Sequence, residues 1–328
     1  MTSSSRARSR CRRGRCDSVT RTCPRWCTFA GESTSFFRGC ARSTTSAKGP
    51  TDVPRADLRG RVAVVTGAGK GIGRATAREL ATRGAHVAGC DTDLVALEQT
   101  LADCRALGAR TLGAGVDVGD AAAVRGFAQQ VERDLGPCYC LVSNAGVGVA
   151  GGFFDTTDED WEWLLRVNLW GAIHAARAFG PLLQARGEGR IVNVASASGF
   201  CNLPSLTAYG TTKYALVGLS EALRAELLPS GVMVSVVCPS LVRTSILQAA
   251  RIRGAEDEAA RRRALQALYD RRGLAPESVA KAIVNAAESG RALVPVSTEA
   301  WLLYAMKRLA PSALPWLLRA AQRTYRTP

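Results

Sequence analysis

Tyr209 and Lys213 stand four residues apart in Tyr209-Gly-Thr-Thr-Lys213, so on a helix they share a face one turn apart. That pairing suits proton transfer. A phenol ordinarily titrates near pH ~10, too high for a base at neutral pH. A neighbouring ammonium stabilises the phenolate and draws that value down. Thirteen positions before the tyrosine, Ser196 closes the run Arg190-Ile-Val-Asn-Val-Ala-Ser196, which reads as a buried strand. A serine at a strand end and a tyrosine on the following helix can converge on one substrate oxygen. Taken alone, Tyr-x-x-x-Lys also fits an exposed pair on any amphipathic helix; its weight comes from the rest of the chain.

A second cluster is Thr66-Gly-Ala-Gly-Lys-Gly-Ile-Gly73, directly after an apolar strand and opening a helical pattern. Gly67, Gly71 and Gly73 permit a tight turn and close approach of backbone to a pyrophosphate. The helix beginning there offers free N–H groups and a positive dipole end. Asp91 ends the second strand, 24 residues after Gly67. A carboxylate there hydrogen-bonds the adenosine ribose and repels a 2′-phosphate, which favours NAD over NADP. Lys70 pulls the other way, but no arginine follows Asp91; the next residues are Thr92 and Asp93. Two further groups are Ser143-Asn-Ala-Gly146, after a strand, and Asn168 in Val167-Asn-Leu-Trp-Gly171, where a poor helix former inside a helical pattern points to a side-chain role.

The elements needed to position these residues are visible as periodicity. Strands are expected at 61–66, 85–90, 111–116, 138–143, 190–195, 232–237 and 291–296. Between them helices are expected from the glycine turn to residue 81, then at 94–107, 121–135, 158–164, 166–186, 207–228, 245–272 and 276–288. Strands alternating with helices of this length imply an α/β fold, a doubly wound parallel sheet covered on both faces. No internal linker follows residue 58, so residues 57–298 read as one domain.

The 328 residues are 47% hydrophobic and 22% charged, ordinary for a globular chain. Of the net charge of +15, residues 1–56 supply nine, with twelve Lys/Arg against three Asp/Glu. The basic character belongs mainly to that Ser-, Arg- and Cys-rich segment, so no specific nucleic-acid partner is expected for the folded body. The segment reads as a disordered tail. It lacks the continuous apolar run of a secretory signal. Its composition resembles an organelle transit peptide interrupted by Pro24, Gly31 and Gly39; a start codon further downstream is the third reading.

Eleven cysteines without regular spacing favour a reducing compartment, and those in apolar runs read as core. His86 and His174 lie in apolar contexts, so no metal is expected. Residues 299–328 form an extension in which Trp301, Leu302, Tyr304, Leu309, Trp316 and other apolar residues alternate with Lys307, Arg308 and Arg319. It is too short and too charged to span a bilayer. Peripheral membrane contact through 300–319 and packing over the substrate cleft or a partner subunit are both open. The expected location is the cytoplasm, with or without that membrane contact.

Together these residues resemble the short-chain dehydrogenase/reductase family, in its compact single-domain branch, over residues 58–295. The resemblance implies a Rossmann fold. It implies that Gly67, Lys70, Gly71, Ile72 and Gly73 form the cofactor loop, and that Asp117 and Val118 lie against adenine. Asn144, Ala145 and Gly146 match the Asn-Ala-Gly motif, with Ser143 where the family usually has Asn. Pro239, Val242 and Thr244 match the nicotinamide side, with Ser240 in place of the usual Gly. Asn168, Ser196, Tyr209 and Lys213 match the catalytic tetrad; Ser198 is a nearby rival, but Ser196 has the family spacing. The implied roles are a substrate oxygen held by Ser196 and Tyr209, a proton moved by Tyr209, a phenol pKa lowered by Lys213, which also holds the nicotinamide ribose, and a water ordered by Asn168.

The expected function is therefore interconversion of a secondary alcohol and a ketone, or an alcohol and an aldehyde, on a hydrophobic substrate, with NAD favoured. Phe153, Phe154, Phe200, Leu203, Leu206 and segment 245–272 are candidate cleft walls. A 3-oxoacyl-carrier-protein-type reductase is the alternative. An enoyl reductase is disfavoured, because its tyrosine and lysine are further apart. A non-catalytic nucleotide-binding scaffold would have no need of Tyr209 and Lys213. The family resemblance also implies a homodimer or homotetramer.

Overall fold

The computed structural model describes residues 55–312 and residue 314. The chain divides between Gly49 and Pro50, and all of these residues belong to the second unit. The expected basic tail lies outside the described residues except for Arg55 and Ala56, and the extension beyond Ser312 lies outside them except for Leu314.

The first half runs β1 (Val62–Thr66), α1 (Gly71–Thr82), β2 (His86–Asp91), α2 (Leu94–Ala106), β3 (Thr111–Gly115), α3 (Ala121–Asp134) and β4 (Cys138–Ser143). The second half runs β5 (Val149–Ala150), α4 (Asp158–Leu164), a π-helical turn (Leu165–Trp170), α5 (Gly171–Arg186), β6 (Gly189–Val194) and α6 (Thr207–Leu227). It continues with β7 (Val232–Pro239), α7 (Ile246–Ala249), β8 (Arg251–Ile252), α8 (Glu258–Arg272), α9 (Pro276–Ser289), β9 (Leu293–Val296) and α10 (Thr298–Leu309). Seven strands form one sheet in the order β3-β2-β1-β4-β6-β7-β9, every pair parallel. The sequence reading of a doubly wound parallel sheet holds.

The strands read as unbroken apolar runs because both faces are covered. Along β1, Ala63 and Val65 face a layer that includes Leu80, Val279 and Ile283, from α1 and α9. Val62 and Val64 face the opposite layer, with Phe127, Phe179 and Leu183 from α3 and α5. The strand order reverses between β1 and β4, so the crevice at their C-terminal ends is the switch point where ligands bind in such sheets. The glycine loop, the Asn-Ala-Gly turn and Ser196 all follow strand ends that open there. The six cysteines among the described residues are buried and free, which fits their reading as core residues.

Three expectations change. The single helix expected over 245–272 is α7, then β8, then α8. Gly254, at φ +65°, turns the chain after β8, and Asp257 starts a new helix by accepting the Ala260 N–H at 2.8 Å. The helix expected over 166–186 begins as a π turn. The last strand is shorter, Leu293–Val296.

Candidate active site

Ser196 leaves the end of β6 and caps a short 3-10 turn, its Oγ accepting the Ser198 N–H at 3.1 Å. Tyr209 and Lys213 lie one turn apart on α6. The Tyr209 phenol is hydrogen-bonded to the Ser196 hydroxyl. The Lys213 ammonium lies 5.7 Å from the Tyr209 ring centroid and donates to the Val194 carbonyl at 3.2 Å.

Lys213 is 4% exposed, and burial brings its pKa down to about 8. The Tyr209 side chain keeps some exposure, yet protein surrounds its phenol closely enough that burial pushes its pKa up. The nearby Tyr269 phenol adds to that rise, and the bond from Ser196 opposes it. In the protein alone, then, burial is the largest influence on the Tyr209 phenol, and the lowering expected of Lys213 is not realised.

Asn168 sits on the π turn, a distortion frequent at functional sites. Its Oδ1 accepts from Val147 N at 2.8 Å, and its Nδ2 donates to Val147 O at 3.0 Å and to Thr212 Oγ1 at 3.1 Å. Asn168 thus grips the segment after Gly146 by both backbone polar groups of Val147 and ties it to α6. A Cβ built on Gly146 would lie 3.3 Å from Asn168 Oδ1 and 3.5 Å from Lys213 Nζ. Asn168, Gly146, Lys213, Tyr209 and Ser196 therefore form one connected cluster.

The glycine loop has the shape of a phosphate cradle. Gly67 and Gly71 adopt φ of +65° and +52°. At Gly73 a Cβ would lie 1.9 Å from the Gly67 carbonyl oxygen, so only glycine fits the loop as it stands. Helix α1 begins at Gly71 and Ile72 with no side-chain cap at Lys70, leaving its first N–H groups for an anion.

Asn144 braces this loop: its Nδ2 donates to the carbonyls of Thr66 and Gly67, both at 3.0 Å. Thr66 Oγ1 accepts from Asn144 N and Ala145 N, at 3.0 and 3.1 Å. Asp91 accepts from Gly69 N at 2.8 Å and Asp93 N at 3.0 Å, so the carboxylate fixes the floor of the loop. Lys70 turns to Asp93 in a 2.6 Å ion pair. These residues fit a dinucleotide.

Asp117 pairs with Arg166 at 2.6 Å and accepts from Gly119 N at 2.9 Å. Burial pushes its pKa up, but the Arg166 and Gly119 hydrogen bonds win and hold it below the usual carboxylate value. Val118 is buried against Gly171. On the far side of the loop, the Thr244 methyl lies 3.0 Å from where a Gly71 Cβ would be, which brings the segment after β7 onto the cofactor loop. Pro239 ends β7, and Val242 is buried and bridged to Leu274. Ser240 is not in a left-handed conformation, so serine fits there without strain. It accepts a hydrogen bond from Ser297 at 3.1 Å, and Ser297 in turn caps α10.

Two contributors were not singled out from sequence, and a third, Thr66, was read only as the start of the glycine stretch. Cys238 lies beneath the cluster and takes the Ser196 N–H on its sulfur. Tyr269 of α8 acts electrostatically on the Tyr209 phenol, and Thr66 staples the Asn-Ala-Gly turn. A threonine between strand and glycine turn was the only one of these with a local signal. Among the expected wall residues, Phe154 is 96% exposed, whereas Phe200 is core, edge-on to Tyr304 of α10 at 5.4 Å.

Comparison with known proteins agrees with this geometry. Residues 61–253 match the family model described as short chain dehydrogenase. The chain is 39% identical over 266 residues to the Mycobacterium tuberculosis protein named Probable oxidoreductase EphD. The match covers 80% of this chain and 45% of EphD, so the chain spans under half the length of that relative. It is 34% identical over 197 residues to estradiol 17-beta-dehydrogenase 11 of Macaca fascicularis, covering 59% of this chain and 66% of that one. A short-chain dehydrogenase/reductase from Burkholderia phymatum, solved in complex with NAD, superposes with a TM-score of 0.72 at 32% identity, covering 80% of this chain and 96% of that one. The chain belongs to the short-chain dehydrogenase family of oxidoreductases.

Proposed function

We propose that this protein uses NAD to interconvert a hydrophobic secondary alcohol and its ketone, or an alcohol and its aldehyde. The observation that carries the reading is the Ser196–Tyr209–Lys213 cluster, a phenol hydrogen-bonded to a serine with a buried ammonium beside its ring. Ser196 and Tyr209 hold the substrate oxygen between two hydroxyls. Tyr209 Oη takes the hydroxyl proton in oxidation and returns it in reduction. Lys213 keeps a positive charge beside that phenol. Asn168 holds the Val147 backbone and Thr212, which fixes the spacing between the Asn-Ala-Gly turn and α6. Bound NAD supplies the hydride acceptor.

Gly67, Gly71, Ile72 and Gly73 would hold its pyrophosphate, and Asp91 its adenosine ribose. The preference for NAD rests on two carboxylates, Asp91 and Asp93, at the ribose end, with Lys70 already engaged by Asp93. The apolar substrate class is supported by the half-buried residues of α8, Leu265, Leu268 and Tyr269, the last of which acts electrostatically on the Tyr209 phenol. A relative that acts on a steroid alcohol points the same way.

The test is reduction of NAD and of NADP by the purified full chain, with secondary alcohols of increasing apolar size. Expected are faster rates with NAD and kcat/KM that climbs with apolar size. A flat or falling series removes the hydrophobic substrate class, and faster rates with NADP remove the role given to Asp91.

A further inference from the structure

β5 and β8 form a parallel ladder of their own, Val149 opposite Arg251 and Ala150 opposite Ile252. Two strands of two residues are far too short to hold together by their own hydrogen bonds. They are fastened by a carboxylate beneath them. Asp160 is 0% exposed at its side chain, and its Oδ1 accepts from Arg251 Nη1 at 2.9 Å and Arg253 Nη2 at 3.0 Å. Its Oδ2 accepts from Arg253 Nε at 2.7 Å and from Thr157 N at 3.3 Å. The Arg251 guanidinium also lies 4.2 Å over the Trp163 ring. The Arg253 contact is a bidentate fork, the strongest and most directional form of this pair. A carboxylate so buried would be costly without both arginines.

The positions of these residues link them to the reacting cluster. Asp160 lies in the first turn of α4, which runs into the π turn bearing Asn168. Asn168 holds Val147, two residues before β5, and β5 holds β8. The arginines of β8 and just after it return to Asp160, which closes a ring of contacts. From β8 the chain turns at Gly254 into α8. Helix α8 has no fully buried residue, so its own packing anchors it weakly, and Arg262 ties it back to the ladder by donating to the Ala250 carbonyl at 3.0 Å. On the other strand of the ladder Val149 packs in one cluster with Leu164, Trp163 and Tyr209.

We propose that Asp160, Arg251 and Arg253 form a latch that pins the β5–β8 ladder and so holds α8 in place as a flap beside the Val149–Tyr209 cluster. The three are positioning residues for the reaction proposed above, and they act through the flap. Releasing the latch loosens substrate capture and leaves the proton and hydride steps as they are.

The test is hydrogen–deuterium exchange of the full chain carrying Asp160→Asn, which keeps the shape and removes the charge. Peptides covering 251–272 should exchange at least about tenfold faster than in the wild type, with β4 and β6 unchanged. With a secondary alcohol that the wild type oxidises, KM should rise severalfold at nearly constant kcat. Unchanged exchange over 251–272 overturns the latch. Equal acceleration over the whole sheet overturns it as well, since Asp160 would then be a general stability residue. If Asp160→Asn does not fold, Arg253→Gln serves instead. It alters a side chain 35% exposed and removes two of the three arginine contacts, and the same local pattern is expected at smaller size; its absence overturns the proposal. The exchange result needs no substrate. Failure of the wild type to oxidise any alcohol would sink the proposed reaction while leaving the latch decided by exchange.

Discussion

At the scale of single residues, the cost of the site is concentrated in Lys213. Its ammonium is buried, which brings the pKa from the ordinary 10.5 to about 8. The unfolded chain keeps the proton up to about pH 10.5, and the folded protein releases it near 8. Stability therefore rises with pH across that window, and below it the buried charge costs about 3 kcal/mol. Lys213→Met keeps most of the volume and removes the charge. Allowing about 1 kcal/mol for the lost bond to the Val194 carbonyl, the variant should be roughly 2 kcal/mol more stable than the wild type at pH 7. The gain should vanish between pH 8 and 10.5, and turnover should be lost. Thermal melts across that range check it; a variant less stable at pH 7 would show that the charge is not a burden on the fold. Tyr269 and Cys238 could not be found from sequence, because each acts on the cluster from a distant element and neither stands in a patterned motif.

At the scale of elements, the glycine loop joins β1 to α1 in a form only glycine permits at position 73. Gly73→Ala places a methyl 1.9 Å from the Gly67 oxygen and 2.6 Å from Asn144 Nδ2, so the loop must shift. A displacement of that order costs about a hundredfold in a positioned site. NADH affinity, read by fluorescence titration, should fall by about that factor. Gly126, exposed in α3 with nothing within 4 Å of an added Cβ, is the control. Gly126→Ala should leave binding alone and raise stability by up to about 1 kcal/mol. Equal affinity in Gly73→Ala and wild type would remove the cradle.

The element pattern was legible because every strand is covered on both faces and so reads as an apolar run. The loop, Asn144, Asn168, Ser196, Tyr209 and Lys213 were legible because each lies beside a strand end or on a helix with fixed spacing. Segment 245–272 was not: its arginines look like one solvated helix, and the pairing of Arg251 and Arg253 depends on Asp160, about ninety residues earlier in the chain. The π turn was equally hidden, since Leu165–Trp170 carries no sequence mark except Asn168 itself.

At the scale of the molecule, α10 closes the end of the sheet beyond β9. Its inner face, Ala300, Leu303, Tyr304 and Met306, packs with Phe200 and Cys201, just beyond the Ser196 turn. Among the described residues no helix is long and apolar enough to cross a membrane. The outer face exposes Trp301, Leu302 and Leu309 beside Lys307 and Arg308, a composition suited to a lipid surface. Liposome flotation of the full chain against a chain ending at residue 298 reads that contact: binding of the full chain alone is expected, and equal behaviour of the two would remove it.

The central claim remains the proton-transfer cluster, and Tyr209→Phe tests it most directly. Initial rates of NADH formation from a hydrophobic secondary alcohol should fall at least about a thousandfold, while NADH affinity stays within about twofold of the wild type. Turnover close to that of the wild type in Tyr209→Phe would contradict the account.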